Sequence, residues 1–146
     1  VAYQPLPYVE KLCYLDLDLY HYFIGREGQS VNESVIMKRI DQQLKVTKII
    51  MDCVDLSTVK SRKLERYLER FLSIMLAVSS IHLLMIGDSL AMKKRRAMWR
   101  YLEQKDPALY RRMRLSVGGF TYLPSKLGNR LSLAGYRLAK KVVKFQ

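Results

Sequence analysis

A chain of 146 residues, 49% of them hydrophobic and without a low-complexity tract, can bury a core of its own; this excludes a disordered tail. Its formal charge of +13 is one-sided: residues 88–146 carry 15 Lys and Arg against 3 Asp and Glu, residues 1–87 carry 11 against 10. Such basicity points to phosphates, whether of nucleic acid, anionic lipid heads or a nucleotide-linked substrate. Two cysteines, Cys13 and Cys53, outside any CxxC pattern, with only two histidines, exclude a zinc set and a disulfide framework and fit a reducing, cytoplasmic setting.

The opening VAYQPLPYVE has neither an initiator Met nor the basic-then-apolar order of a signal peptide, as expected of a chain that starts partway through a larger protein. Pro5 and Pro7 keep it extended, and Val9 to Leu15 and Leu19 to Ile24 read as two short strands of a β-hairpin around Asp16-Leu17-Asp18. The D-x-D spacing matches a divalent-metal pattern. On an alternating strand, however, both aspartates share one face and read as its wet side.

The aromatic run breaks at Gly25 in LYHYFIGREGQSVN, where Gly25 and Gly28 allow a tight bend and Tyr22, Arg26, Gln29 and Ser30 offer polar groups at it. That bend is the candidate ligand site, against the plain alternative of a strand-to-helix connection. Ser30 and Glu33 have the spacing of a capping box, in which each side chain satisfies a free backbone N–H. Ile36, Ile40, Leu44, Thr47, Met51 and Val54 then recur at helical spacing, predicting one helix from about Val31 to Val54.

Ser57 is the expected cap of a longer helix that loses all charge from Phe71 to Gly87. At 17 residues this apolar run sits at the short edge of a bilayer span, and it contains Ser73, Ser79, Ser80 and His82, so a buried central helix is favoured over membrane contact or a span. Asp88 caps a third helix with Leu90, Ala91, Ala97, Met98, Tyr101 and Leu102 on one face and Lys93, Lys94, Arg95, Arg96 and Arg100 on the other. A plain solvated face is the first reading of these cations, and a surface for an anionic membrane is the candidate function. Nucleic acid is disfavoured, because only Trp99 and Tyr101 offer stacking rings there. Asp106-Pro107 opens a short helix that Gly118-Gly119 ends, residues 120–128 form a loop, and Asn129 caps a last helix with Leu131, Ala134, Leu138, Val142 and Phe145 as its apolar face.

The expected fold is therefore mainly α, a short N-terminal hairpin followed by about five helices: residues 1–30 as hairpin and site loop, residues 31–146 as a helical region. No nucleophile-base-acid set and no metal set can be named, so no catalytic residue is assigned; His21 and His82 are lone histidines.

Through LYHYFIGREGQSVN, MIGDSLAMKKRRAMWRYLEQKDPALYRRMR and LAGYRLAKKVVKFQ, the chain resembles the C-terminal part of bacterial family 2 glycosyltransferases, inverting enzymes with an α/β GT-A fold. The resemblance implies a C-terminal segment, itself inactive, of an enzyme moving a sugar from a nucleoside diphosphate donor to a cell-surface polysaccharide or lipid-linked acceptor. It places the segment in the cytoplasm, at the inner face of the cell membrane. It also implies that Tyr22, Arg26, Gln29 and Ser30 line the donor or acceptor site, with Arg26 offsetting diphosphate charge. Any divalent metal, Mg or Mn, would belong to the upstream half, since Gly25 stands near the position where relatives place a histidine ligand. A different class, a non-catalytic basic helical module binding anionic membrane or nucleic acid, is the alternative. With an upstream sheet absent, exposed apolar faces predict self-association.

Overall fold

In the computed structural model, which describes residues 3–11, 13–21, 32–53, 55–123 and 125–142, the expectation of a mainly α protein holds. Among the described residues seven α-helices follow one another: α1 Glu33–Lys38, α2 Ile40–Cys53, α3 Arg62–Ile86, α4 Ser89–Lys105, α5 Pro107–Arg114, α6 Val117–Phe120 and α7 Ser125–Val142. Short 3-10 turns occupy Leu6–Tyr8 and Leu56–Thr58.

The hairpin does not form among the described residues. Residues 13–21 have no regular structure, and Tyr14, Leu15, Leu17, Leu19 and Tyr20 are all exposed. A two-stranded ribbon is marginal in water unless one face packs on something, and here neither face does. Residues 22–24 of the second expected strand lie outside the described residues. The first segment is instead anchored by Tyr3, which is buried, tilts against Phe71 at 5.2 Å and donates a hydrogen bond to the Leu68 carbonyl at 3.3 Å.

The centre of the molecule is α3, the one helix among the described residues long and apolar enough to cross a membrane by length and composition. Here it is a core helix: Leu68, Leu72, Leu76, Leu83 and Ser80 are buried, and α2, α4, α6 and α7 pack around it. Its polar residues explain how neighbours come so close. Ser79 meets Thr47 of α2 at 3.0 Å, Ser80 accepts a 2.9 Å bond from Trp99 Nε1 of α4, and Ser73 Oγ accepts the Gly118 N–H of α6 at 3.0 Å. Ser116 Oγ donates to the Met113 carbonyl, so the 2.7 Å contact between Ser73 and Ser116 is donated by Ser73. Each hydroxyl buried in the apolar run is thus satisfied by a different partner, which offsets the cost of taking it out of water.

Helix ends follow local chemistry. Gly87 closes α3 in the left-handed region (φ 74°), where an L side chain is strained, and its N–H returns to the Leu83 carbonyl. Asp88 accepts the Ala91 N–H at 2.6 Å, and Asp106 accepts the Leu109 N–H at 2.8 Å ahead of Pro107.

Four expected boundaries move. The first long helix is interrupted at Arg39, whose backbone leaves helical geometry (φ −108°, ψ 25°). Ser61, not Ser57, caps α3. Glu33, expected to share a capping box with Ser30, accepts from Tyr136 and Lys140 of α7, and Ser30 lies outside the described residues. Gly118 and Gly119 do not end a helix but sit inside α6, and α7 starts at Ser125, so Asn129 lies within it.

Candidate functional site

Of the five cations expected to make one basic surface, the structure keeps three together in solvent. Lys93, Arg96 and Arg100 project from the outer side of α4, opposite Ala91, Met98, Trp99 and Leu102, which fill the core. Lys94 turns aside to Asp41 of α2 in an ion pair of 2.5 Å.

Arg95 is a correction: it belongs to the interior, only 5% exposed. Its guanidinium donates to Asn129 Oδ1 of α7 at 2.9 Å and to the Thr121 carbonyl, and it lies 5.0 Å from the Tyr122 ring centre. Tyr122 in turn stacks on Trp99 at 4.7 Å with 8° between the planes, and Arg114 approaches the same ring at 5.2 Å. Burial pushes the Arg95 guanidinium down to about 10, and among the described residues no carboxylate neutralises it. Stacking over the ring and bonds to neutral acceptors hold the charge instead. Sequence period could not separate Arg95 from Arg96; Asn129, misread as a cap, is the partner that draws it inward.

The aromatic residues of α4 are also spoken for. Trp99 is wholly buried, and Tyr101 donates to Asp52 Oδ1 at 2.6 Å while Lys105 pairs with the same oxygen at 2.6 Å. Trp99 offers no ring to a nucleobase, and one face of the half-buried Tyr101 ring is covered by Lys48 Nζ at 4.3 Å.

A second cluster ties the two ends of the helical region. Glu33 of α1 accepts from Tyr136 Oη at 2.5 Å and from Lys140 Nζ at 2.8 Å, both on α7. The bonds from Lys140 and then Tyr136 hold the Glu33 carboxyl below its usual range, while burial and then the Glu33 bond push Tyr136 up to about 12. A carboxyl depressed in the folded state adds stability that is complete above its unfolded value, about pH 4.3, and is lost as pH falls through the folded value. Glu33→Gln is therefore expected to flatten the decline of Tm below about pH 4.3 relative to wild type while lowering Tm at pH 7. An unchanged acid limb in thermal melts would show that the cluster does not couple to folding. Nearby His82 is buried, its Nδ1–H donating to the Val78 carbonyl at 2.7 Å.

Tyr22, Arg26, Gln29 and Ser30, the expected ligand-loop residues, lie outside the described residues. Asp16 and Asp18 are exposed, and Asp16 accepts a long bond from Tyr14 at 3.5 Å. Among the described residues, no three His, Cys, Asp or Glu side chains come together as a metal site. No family model, curated protein or solved structure matches the chain.

Proposed function

We propose that the chain is a non-catalytic helical module that binds an anionic phospholipid surface through Lys93, Arg96 and Arg100 of α4. The observation that carries this reading is the sorting of α4. Three cations at i, i+3 and i+7 face solvent together, Lys94 is paired and Arg95 is buried, and the rings a nucleic acid would need are turned inward or bonded to Asp52. Cations held on one rigid helix face meet a charged membrane without first losing the freedom of a flexible tail.

Each cation near such a surface contributes about 1 kcal/mol, so K93Q/R96Q/R100Q is expected to weaken binding to phosphatidylserine-containing vesicles on the order of a hundredfold. Sedimentation with these and with pure phosphatidylcholine vesicles reads the effect. Equal binding by the triple variant, or equal binding of wild type to both vesicles, overturns the assignment; tighter, salt-sensitive binding to RNA redirects it to nucleic acid.

The glycosyltransferase reading is a second proposal. It is supported by the resemblance of LYHYFIGREGQSVN and the basic C-terminal stretches, and it assigns donor contacts to Tyr22, Arg26, Gln29 and Ser30. Titration of the same protein with a nucleoside diphosphate sugar separates the two: binding abolished by R26A favours the transferase, and no binding counts against it.

A further inference from the structure

The last helix turns its large apolar residues away from the body. The side of α7 turned to the body is made of small and polar residues: Gly128 and Ser132 are buried, Gly135 lies against the Phe120 ring, and Tyr136 reaches Glu33. Ser132 Oγ bonds to the Phe120 carbonyl at 2.8 Å, and a Cβ on Gly128 or Gly135 would come within 2.8 Å of Leu123 or Phe120. Close approach selects the small side.

The large apolar side is consequently outward. Leu127, Leu131 and Leu138 are 67%, 52% and 65% exposed, Ala134 is exposed between them, and half-exposed Phe120 continues the patch across Gly135. At 100° per residue these four positions fall within about 60° of one another. Lys126, Arg130, Arg137 and Lys141, all exposed, occupy the adjoining flank. Residues 125–142 contain no Asp or Glu, and among the described residues none of these four cations is in an ion pair.

We infer that this face of α7 seats in the headgroup and acyl boundary of an anionic bilayer, with the leucines in the apolar layer and the four cations on lipid phosphates. The inference rests on the reading of the chain as an anionic-surface module and adds the inserting element to it. Charge selects this occupant. A second copy docking face to face would bring two sets of four cations together, within segments that already carry 15 basic residues against 3 acidic. A phospholipid surface supplies both an apolar layer and compensating negative charge in the geometry an interfacial helix uses.

Full-length wild type and L131Q/L138Q, sedimented with phosphatidylserine-containing vesicles at about 0.1 M and about 1 M salt, test this, because the screening length falls from about 10 Å to about 3 Å between the two. Both leucines are outward, so circular dichroism and Tm are expected to match wild type. Wild type is expected to stay partly bound at high salt, whereas L131Q/L138Q loses that salt-resistant binding by on the order of tenfold or more and keeps most low-salt binding. Complete release of wild type at high salt, with the variant indistinguishable, overturns insertion while leaving the electrostatic reading in place. Loss of low-salt binding in K93Q/R96Q/R100Q alone is the separate mark of that reading, and no binding of wild type at low salt overturns both. Conversion of a vesicle-free oligomer to a monomer by L131Q/L138Q would assign the patch to a second copy and overturn the inference.

Discussion

Trp99→Ala is expected to destabilise the protein by about 3–5 kcal/mol, a large fraction of the roughly 5–15 kcal/mol that holds a domain folded. Trp99 is fully buried at the meeting of α3, α4, α5 and α6, stacked on Tyr122, edge-on to Tyr110 at 6.1 Å and hydrogen-bonded to Ser80. Alanine leaves a large cavity, frees Tyr122 from its stack and strands the Ser80 hydroxyl inside the core. Trp99→Phe keeps most of the apolar volume but also strands Ser80, so a smaller loss of about 1–2 kcal/mol is expected from it. Urea unfolding followed by far-UV circular dichroism measures both; a loss below about 1 kcal/mol for alanine would show that the core does not converge on this ring.

Gly119→Ala has the second large effect, and its sign runs against intrinsic propensity. In a helix, alanine is ordinarily better than glycine by about 1 kcal/mol. Here a Cβ on Gly119 would lie 1.9 Å from the Arg114 carbonyl oxygen and 2.4 Å from its carbon. Both are backbone atoms, so α5 and α6 must separate, and a loss of about 3 kcal/mol or more is expected. Gly118→Ala meets the Ser73 carbonyl oxygen at 3.2 Å and the Trp99 ring at 3.4 Å, a milder crowding that predicts a smaller loss. Urea midpoints for the two variants test the order; a stabilised Gly119→Ala would mean that the close approach of α6 to α5 is not required.

These glycines show where sequence reasoning ran short. Features set within a few residues were legible: the Asp88 cap, the Asp106-Pro107 start and the apolar centre of α3 all depend on local backbone chemistry. Features set by partners were not. Gly118-Gly119 has the composition of a stop, yet it is a contact point for α3 and for Arg114. Leu131, Ala134 and Leu138 have the spacing of a buried face, but spacing says only that residues share a side, and the small residues on the other side allow the closer packing. Strand propensity in residues 13–21 had no sheet to join among the described residues. Within the candidate interface, Lys93, Arg96 and Arg100 were legible as a basic stripe. The inward turn of Arg95 was not, because its acceptors, Thr121 and Asn129, are 26 and 34 residues away.

The bonds from Tyr136 and Lys140 to Glu33 reach across 103 and 107 residues of chain. Most other helix contacts join neighbours in sequence, such as α2 to α3 and α4 to α5, and close short loops early. Among the described residues the Glu33 clasp closes the longest loop joined by a side-chain bond, and so carries the largest loop-closure cost. The clasp thus links α1 to a helix that packs on α3, so that α1 and α7 are joined to each other as well as to the central helix. A bilayer that takes hold of the outer side of α7 would pull on α1 through Glu33 and, through the bond from Arg95 to Asn129, on the ring stack at Trp99.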